Sequence, residues 1–303
     1  MLTDYHLHLR PDDPDAAAAE YYSRANVERY REVADERGIS ELGVSEHVYR
    51  FEQALEVWRH PFWLKYAHDD LDDYCAFVRG ETDLRLGIEA DFVPGAEDRM
   101  ANLLAARDFD YVIGSVHFLR ERAVDMDPYS IWEEGHSPEE IWRRYFQTVG
   151  EAARSGLFDV LAHPDLVKVW GPERPLPEGD LRRYYELAID GIAESSIAVE
   201  VSTAGLRKRA GELYPAPAFL EMCLQAGVPV ALSSDAHRPQ DVGADYQRAL
   251  ELLEQMGVSE LCVFDRRSRR LEPIGKSDRG PAGAGETSPA GNTTGAGRSP
   301  GAR

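Results

Sequence analysis

The sequence predicts an α/β fold on a parallel sheet, closed into a barrel, and three observations lead there. Short apolar runs recur along the chain, segments with helical spacing separate them, and nearly every run ends in a histidine or a carboxylate. The runs are Leu2 to His6, Leu42 to Ser45, Leu84 to Glu89, Tyr111 to Val116, Val160 to His163, Ile197 to Val201, Val228 to Ser233 and Leu261 to Phe264. Runs this short, many rich in Val and Ile, read as strands buried on both faces. Strand–helix alternation implies a parallel sheet, and seven or eight units imply a barrel, with a doubly wound open sheet as the alternative.

Taken in order, the first run delivers His6-Leu7-His8, whose imidazoles project to one side of an extended segment. After the second run, residues 51–78 break the alternation. Phe51, Trp58, Phe62, Trp63, Tyr66, Tyr74 and Phe77 crowd there with His60, His68 and four aspartates, which predicts a partly helical insertion or lid. Between the fourth and fifth runs, Ser137-Pro138-Glu139-Glu140 supplies an N-cap, a first-turn proline and a capping-box glutamate for a helix to Arg154, before Gly156. Beyond Ile274 no aromatic or large aliphatic residue remains, so residues 276–303 are expected to be a disordered Gly/Ala/Ser/Pro-rich tail after a barrel domain over 1–275.

Composition narrows the function. The chain is long enough, at 303 residues, for one large domain with a substantial core. Its 34 basic against 54 acidic residues give a net charge of −20, which repels polyanions and argues against nucleic acid. The tail carries four basic and two acidic residues, so the body is more acidic still. A small-molecule partner suits that field, and a homo-oligomer is compatible with it. Cys75, Cys223 and Cys262 match no zinc-ribbon spacing and are too few for a disulfide framework. With no apolar leader or membrane-length run, a cytoplasmic protein is expected.

The strand ends carry the chemistry. They are Ser45-Glu46-His47, Gly87-Ile88-Glu89-Ala90-Asp91, Gly114-Ser115-Val116-His117, Ala162-His163-Pro164-Asp165 and Ser233-Ser234-Asp235-Ala236-His237. In a barrel these ends converge. With His6 and His8 at the end of the first run, six of nine histidines lie at strand ends, leaving His60, His68 and His136 without a role. Six imidazoles with Glu89 and Asp235 exceed the needs of one zinc, which takes three protein ligands in a catalytic site. A cluster of two or three divalent ions is expected, and His with carboxylate suits Zn, Mn or Fe. Ions about 3.5–4 Å apart bind two oxygens of a substrate and activate water, so hydrolysis is the expected reaction.

These motifs, in their order and spacing over roughly residues 3 to 275, resemble the signature of the polymerase-and-histidinol-phosphatase (PHP) superfamily. Asp110-Tyr111-Val112-Ile113-Gly114-Ser115-Val116-His117 and Ser202-Thr203-Ala204-Gly205-Leu206-Arg207 are most similar to its stand-alone histidinol-phosphatase branch. The resemblance implies a distorted TIM-like (β/α)7 barrel, leaving the run at Leu261 peripheral. It also implies that His6, His8, Glu89 and Asp235 hold one metal, that Glu89 bridges to a second held by His117 and His163, and that His47 and His237 help hold a third. One departure is visible: where the family usually has a further histidine, this chain reads Arg10-Pro11-Asp12-Asp13-Pro14-Asp15. Asp13 or Asp15 is the expected substitute ligand.

Arg207 is expected to clamp phosphate with its bidentate fork, with Arg10 and Lys168 as weaker candidates. Tyr214 or the aromatics of the insertion would cover a substrate imidazole, and Asp235 with His237 would serve the leaving alkoxide. The function implied is metal-dependent hydrolysis of L-histidinol phosphate in histidine biosynthesis. The alternatives are a PHP phosphoesterase for another sugar, nucleotide or amino-alcohol phosphate, and a non-catalytic metal-binding regulatory module. An amidohydrolase fits less well, because no strand-four lysine is placed to bridge metals.

Overall fold

In the computed structural model, which describes residues 1–275, seven parallel strands form one sheet. They are β1 (Thr3–Asp4), β2 (Glu41–Val44), β3 (Arg85–Asp91), β4 (Tyr111–Ser115), β5 (Val160–Leu161), β6 (Ala198–Ser202) and β7 (Val230–Ser233), paired in that order. A parallel bridge between Leu7 and Ala236 joins the chain just past β1 to the chain just past β7. There the His8 N–H donates to the Ala236 carbonyl at 2.8 Å, and the Ala236 N–H to the His6 carbonyl at 3.2 Å. This seam nearly closes the sheet into a distorted TIM-like (β/α)7 barrel. The distortion lies at β1 and β5, each only two residues long.

Side chains fill the barrel, and two glycines make room for the largest of them. A Cβ on Gly87 would lie 2.2 Å from Cζ of Tyr111, and one on Gly43 would overlap the same ring. The Tyr111 hydroxyl crosses the interior to donate to the Tyr5 carbonyl at 2.6 Å. The eighth apolar run is not a barrel strand: β8 (Glu260–Asp265) pairs antiparallel with β9 (Ser268–Pro273). Its Cys262, Val263 and Phe264 pack with Tyr5, Tyr111 and Ile113 in a small core of their own. Tyr111 opens its strand whereas the histidines follow theirs, so the hairpin plugs the mouth opposite the histidines.

The predicted helix after Ser137 spans Pro138–Arg154, and the Ser137 hydroxyl accepts from the Glu140 N–H. Its buried stripe of Ile141, Trp142, Tyr145, Phe146 and Val149 follows the 3.6-residue period that packs a helix on a sheet. Over residues 51–78 the structure differs from a single insertion. Leu71–Glu81 is the ordinary crossover helix from β2 to β3, capped by Asp70, and only the part before it is additional. That part holds a short helix, Pro61–Tyr66, whose first turn is closed by His60 Nδ1 accepting from the Phe62 N–H at 3.2 Å. His60 therefore has a capping role, and His136 pairs with Glu140 at 3.2 Å. The expected tail over 276–303 lies outside the described residues. No helix among the described residues is long and apolar enough to cross a membrane.

Candidate metal centre and substrate cleft

Glu89, buried near the end of β3, is the hub of the site. Its Oε2 lies 3.2 Å from His6 Nε2, 3.5 Å from His8 Nε2 and 2.6 Å from His47 Nδ1. Its Oε1 lies 3.1 Å from His163 Nε2 and 3.6 Å from His117 Nε2. Asp235 Oδ1 stands 3.7 Å from His6 Nε2, 3.5 Å from His8 Nε2 and 3.5 Å from His237 Nδ1. All six strand-end histidines, Glu89 and Asp235 are thus in one cluster, as barrel closure requires of residues as far apart in the chain as His6 and His237. Two of them sit on strained backbone, with φ of 24° at His163 and 50° at Asp235, values non-glycine residues rarely adopt.

Three groups offer ligand atoms within 4.8 Å of one another: His8, His47 and His237; His6, His8 and Asp235; and His6, Glu89 and His163. His6 Nε2, both ring nitrogens of His8, and Glu89 Oε2 are buried without a hydrogen-bond partner. Buried polar atoms are seldom left so, because each costs about 1–3 kcal/mol. Close together yet not aligned to share protons, they fit shared cations. Electrostatics agrees. Burial would lower His6, but the Glu200, Glu89 and Asp235 carboxylates outweigh it and hold the imidazole well above its ordinary pKa. Burial likewise opposes the rise of His117, yet Asp91 pushes it up to about 10. Burial, with His47 and His237 beside it, keeps His8 well below its usual value, in the neutral form a metal requires.

Residues behind the cluster aim it. His6 Nδ1 pairs with Glu200 Oε1 at 2.7 Å, while Glu200 Oε2 accepts from the His163 N–H at 2.7 Å. His117 Nδ1 pairs with Asp91 at 2.7 Å. Such carboxylate–imidazole pairs fix the ring and raise its basicity as a ligand. Glu46 stands 3.9 Å behind His8 Nδ1, accepts from the Leu9 N–H at 2.7 Å and pairs with Arg50, tying the loop after His8 to the end of β2. Glu200 had a sequence signal, a lone charge within the buried run Ala198-Val199-Glu200-Val201-Ser202.

Several expected residues lie elsewhere. In the acidic turn it is Asp12, not Asp13 or Asp15, that reaches the cluster, 3.1 Å from His237 Nε2 and 3.7 Å from His47 Nε2. Arg50 holds Asp12 there, whereas the exposed Asp13 carboxylate accepts from the Asp15 N–H. Arg10 is buried against Asp69 at 2.7 Å and donates to the Ala16 carbonyl, so it cannot meet substrate. Lys168 is consumed by Asp165 at 2.8 Å, Glu212 at 2.7 Å and the Leu213 carbonyl. Arg207 turns to the Ser234 carbonyl and Thr203, and the next residue, Lys208, lines the cleft in its place. Tyr214 does line it, its hydroxyl unpartnered.

The cleft over the cluster encloses about 330 Å³. Its floor is His47, His117, His163, Asp235 and His237. Its walls include Tyr49, Phe62, Tyr66, Phe118 and Tyr214, and Asp125 and Lys208 are further charged residues of its lining. Phe62 and Tyr66 come from the short helix of the additional segment.

Comparison with known proteins agrees with this geometry. Residues 19–204 match the family model of the PHP domain. A probable histidinol-phosphatase of Deinococcus radiodurans is 34% identical over 80% of this chain and 91% of its own. A Bacillus subtilis histidinol-phosphatase is 29% identical over 57% of this chain and 70% of its own. Among solved structures, the histidinol phosphate phosphatase of Lactococcus lactis, complexed with zinc, L-histidinol and phosphate, superposes with a TM-score of 0.65 at 17% identity, covering 89% of this chain and 98% of that one.

Proposed function

This chain belongs to the PHP domain family, and from that premise we propose that it is a metal-dependent phosphomonoesterase that hydrolyses L-histidinol phosphate to L-histidinol and phosphate. The reading rests above all on one observation: a buried carboxylate, Glu89, ringed by imidazoles from several strand ends beneath an aromatic-walled cleft. The Deinococcus relative and the ligands of the Lactococcus structure support the substrate. Three free cysteines suit a reducing cytoplasm, where histidine is made.

His6, His8, Glu89 and Asp235 would hold one ion, and Glu89, His117 and His163 a second. His47 and His237, with Asp12 in place of the family's further histidine, would complete a third site. Zinc, manganese or iron suits these donors. Bound there, such ions supply Lewis acidity that neutralises phosphoryl charge and makes water nucleophilic at neutral pH.

The protein's own residues do the rest. Lys208 offers an ammonium to the phosphoryl oxygens, whose charge spreads as the ester P–O bond breaks and a P–O bond to water forms. Burial opposes protonation of His237, but Asp12 and Asp235 prevail and raise its pKa. With the third site empty, its Nε2 would hold the proton that the departing alkoxide takes; with it filled, that proton would come from water in the cleft. Tyr49, Phe62, Tyr66 and Phe118 offer rings to the imidazole of the leaving group and exclude water around it.

The test is phosphate release from histidinol phosphate, fructose bisphosphate, nucleotides and p-nitrophenyl phosphate, with metal content measured on the same sample. The highest kcat/KM is expected for histidinol phosphate. A strong preference for another ester refutes the substrate and leaves the metal centre standing. Full activity and metal content in His117→Ala would refute the mechanism.

A further inference from the structure

The cleft contains a charged group that the mechanism does not use. Asp125 follows a short hairpin, Phe118–Leu119 with Arg122–Ala123, and lines the same cavity as the histidines. The residue before it is held firmly: the Val124 N–H donates to the His117 carbonyl at 2.9 Å, and the Val124 carbonyl accepts from the Trp132 and Trp170 indoles at 3.1 and 2.7 Å. Three hydrogen bonds therefore set where Asp125 departs from the backbone. Its Oδ1 is buried with no hydrogen-bond partner.

The other carboxylates here are engaged. Asp12 meets Arg50 and His237, Asp91 meets His117, Glu200 meets His6, and Asp235 meets His6 and His8. Asp125 forms no salt bridge or hydrogen bond among the described residues, and Lys208, which lines the same cleft, forms no salt bridge there either. A half-buried carboxylate whose Oδ1 is shut off from water without a partner is costly unless something else supplies the positive charge. Two unpaired groups of opposite sign in one cavity, with a cation-binding cluster at its floor, match a ligand carrying an anion at one end and an ammonium at the other.

We propose that Asp125 determines specificity by accepting the ammonium of the substrate, so that the site selects aminoalkyl phosphates over neutral alkyl, sugar and aryl phosphates. This rests on the phosphomonoesterase reading above and adds to it the group that recognises the leaving alcohol. Phosphate then sits at the histidine cluster and Lys208, and the amine at Asp125. Burial pushes the Asp125 carboxyl up, while His117, His163 and Lys208 oppose that rise and favour the anion. An ammonium would favour it further.

The test compares wild type, Asp125→Asn and Asp125→Glu on histidinol phosphate, ethanolamine phosphate, glycerol phosphate and p-nitrophenyl phosphate, with zinc content measured for each protein. Losing one charge-assisted hydrogen bond predicts that Asp125→Asn lowers the preference for amine-bearing over neutral esters by about 10- to 100-fold, mostly through KM. Asp125→Glu, which keeps the charge, recovers part of it. An equal loss on all esters, or a loss of zinc, overturns the proposal and makes Asp125 part of the metal site. Calorimetric binding of L-histidinol in the presence of phosphate separates this proposal from the one beneath it. If wild type releases phosphate from no ester, the phosphomonoesterase reading fails. If Asp125→Asn binds L-histidinol as tightly as wild type, the role of Asp125 fails whatever the turnover.

Discussion

Glu200→Gln is the most informative perturbation, because one atom change separates charge from shape. Glu200 accepts from His6 Nδ1 and the Ser233 hydroxyl on one oxygen and from the His163 N–H on the other. A glutamine retains one acceptor. If its oxygen faces His6 and Ser233, its amide N–H₂ confronts the His163 N–H; if it is flipped, the amide donates to the Ser233 hydroxyl and to His6 Nδ1, which can accept only as the neutral Nε2–H tautomer. The first orientation strands a buried donor and the second forces His6 neutral with its proton on Nε2, so the metal-free protein is expected to lose about 1–3 kcal/mol of stability. Separately, His6 loses the anion that orients it and raises its basicity, for which a loss of about 10–100-fold in metal affinity is typical. Urea denaturation of the metal-free protein measures the first effect, and competition with a chelator of known affinity measures the second. A variant that binds zinc within twofold of wild type refutes the view that Glu200 acts through His6.

Three further outcomes follow. Gly87→Ala drives a methyl into the Tyr111 ring and should cost about 1–3 kcal/mol by denaturation; unchanged stability would mean that the ring does not fill the barrel there. Asp12→Asn weakens the contacts to Arg50 and His237 and should lower kcat/KM by about tenfold or more, whereas Asp13→Ala should stay within about twofold, as exposed substitutions usually do; the reverse order would restore Asp13 as the ligand. Burial pushes the Cys75, Cys223 and Cys262 thiols up to about 12, so little thiolate exists at pH 8. Ellman's reagent should therefore react slowly with the native chain and with all three thiols after unfolding. A fast native reaction would contradict their burial.

The barrel and the histidine cluster were legible because their signals are periodic and repeated. Short apolar runs ending in His or Asp fix both the strands and the mouth at which they converge. Harder to read was whatever depends on how an irregular segment turns. Asp12, Asp13 and Asp15 have the same chemistry within four positions, and only the Arg50 contact selects Asp12. Arg207 and Lys208 are adjacent, and the short helical turn over Ala204–Arg207 decides which one meets the cleft. Arg10 and Lys168 look available in sequence but are consumed by Asp69 and by Asp165 with Glu212, acidic partners remote in the chain or chosen by the fold. Asp125, on a loop with no periodicity, carries no sequence signal at all. The run at Leu261 has the composition of a barrel strand, and only its antiparallel pairing distinguishes it.

The seam at Leu7 and Ala236 has a consequence for how the molecule is made. The first strand is made long before β7 and has no partner on its open side until the chain past β7 appears; the bond between Ser234 and Asp4 spans 230 positions. Joining ends so distant carries a loop-closure cost that grows only slowly with length, but it must be met before the contact returns anything. His6, His8, Asp235 and His237 flank that junction, so an ion captured there would act as a clasp on the ring. Withholding metal during synthesis should therefore delay the last step of assembly more than the earlier ones, leaving a chain with its helices formed and its two ends apart.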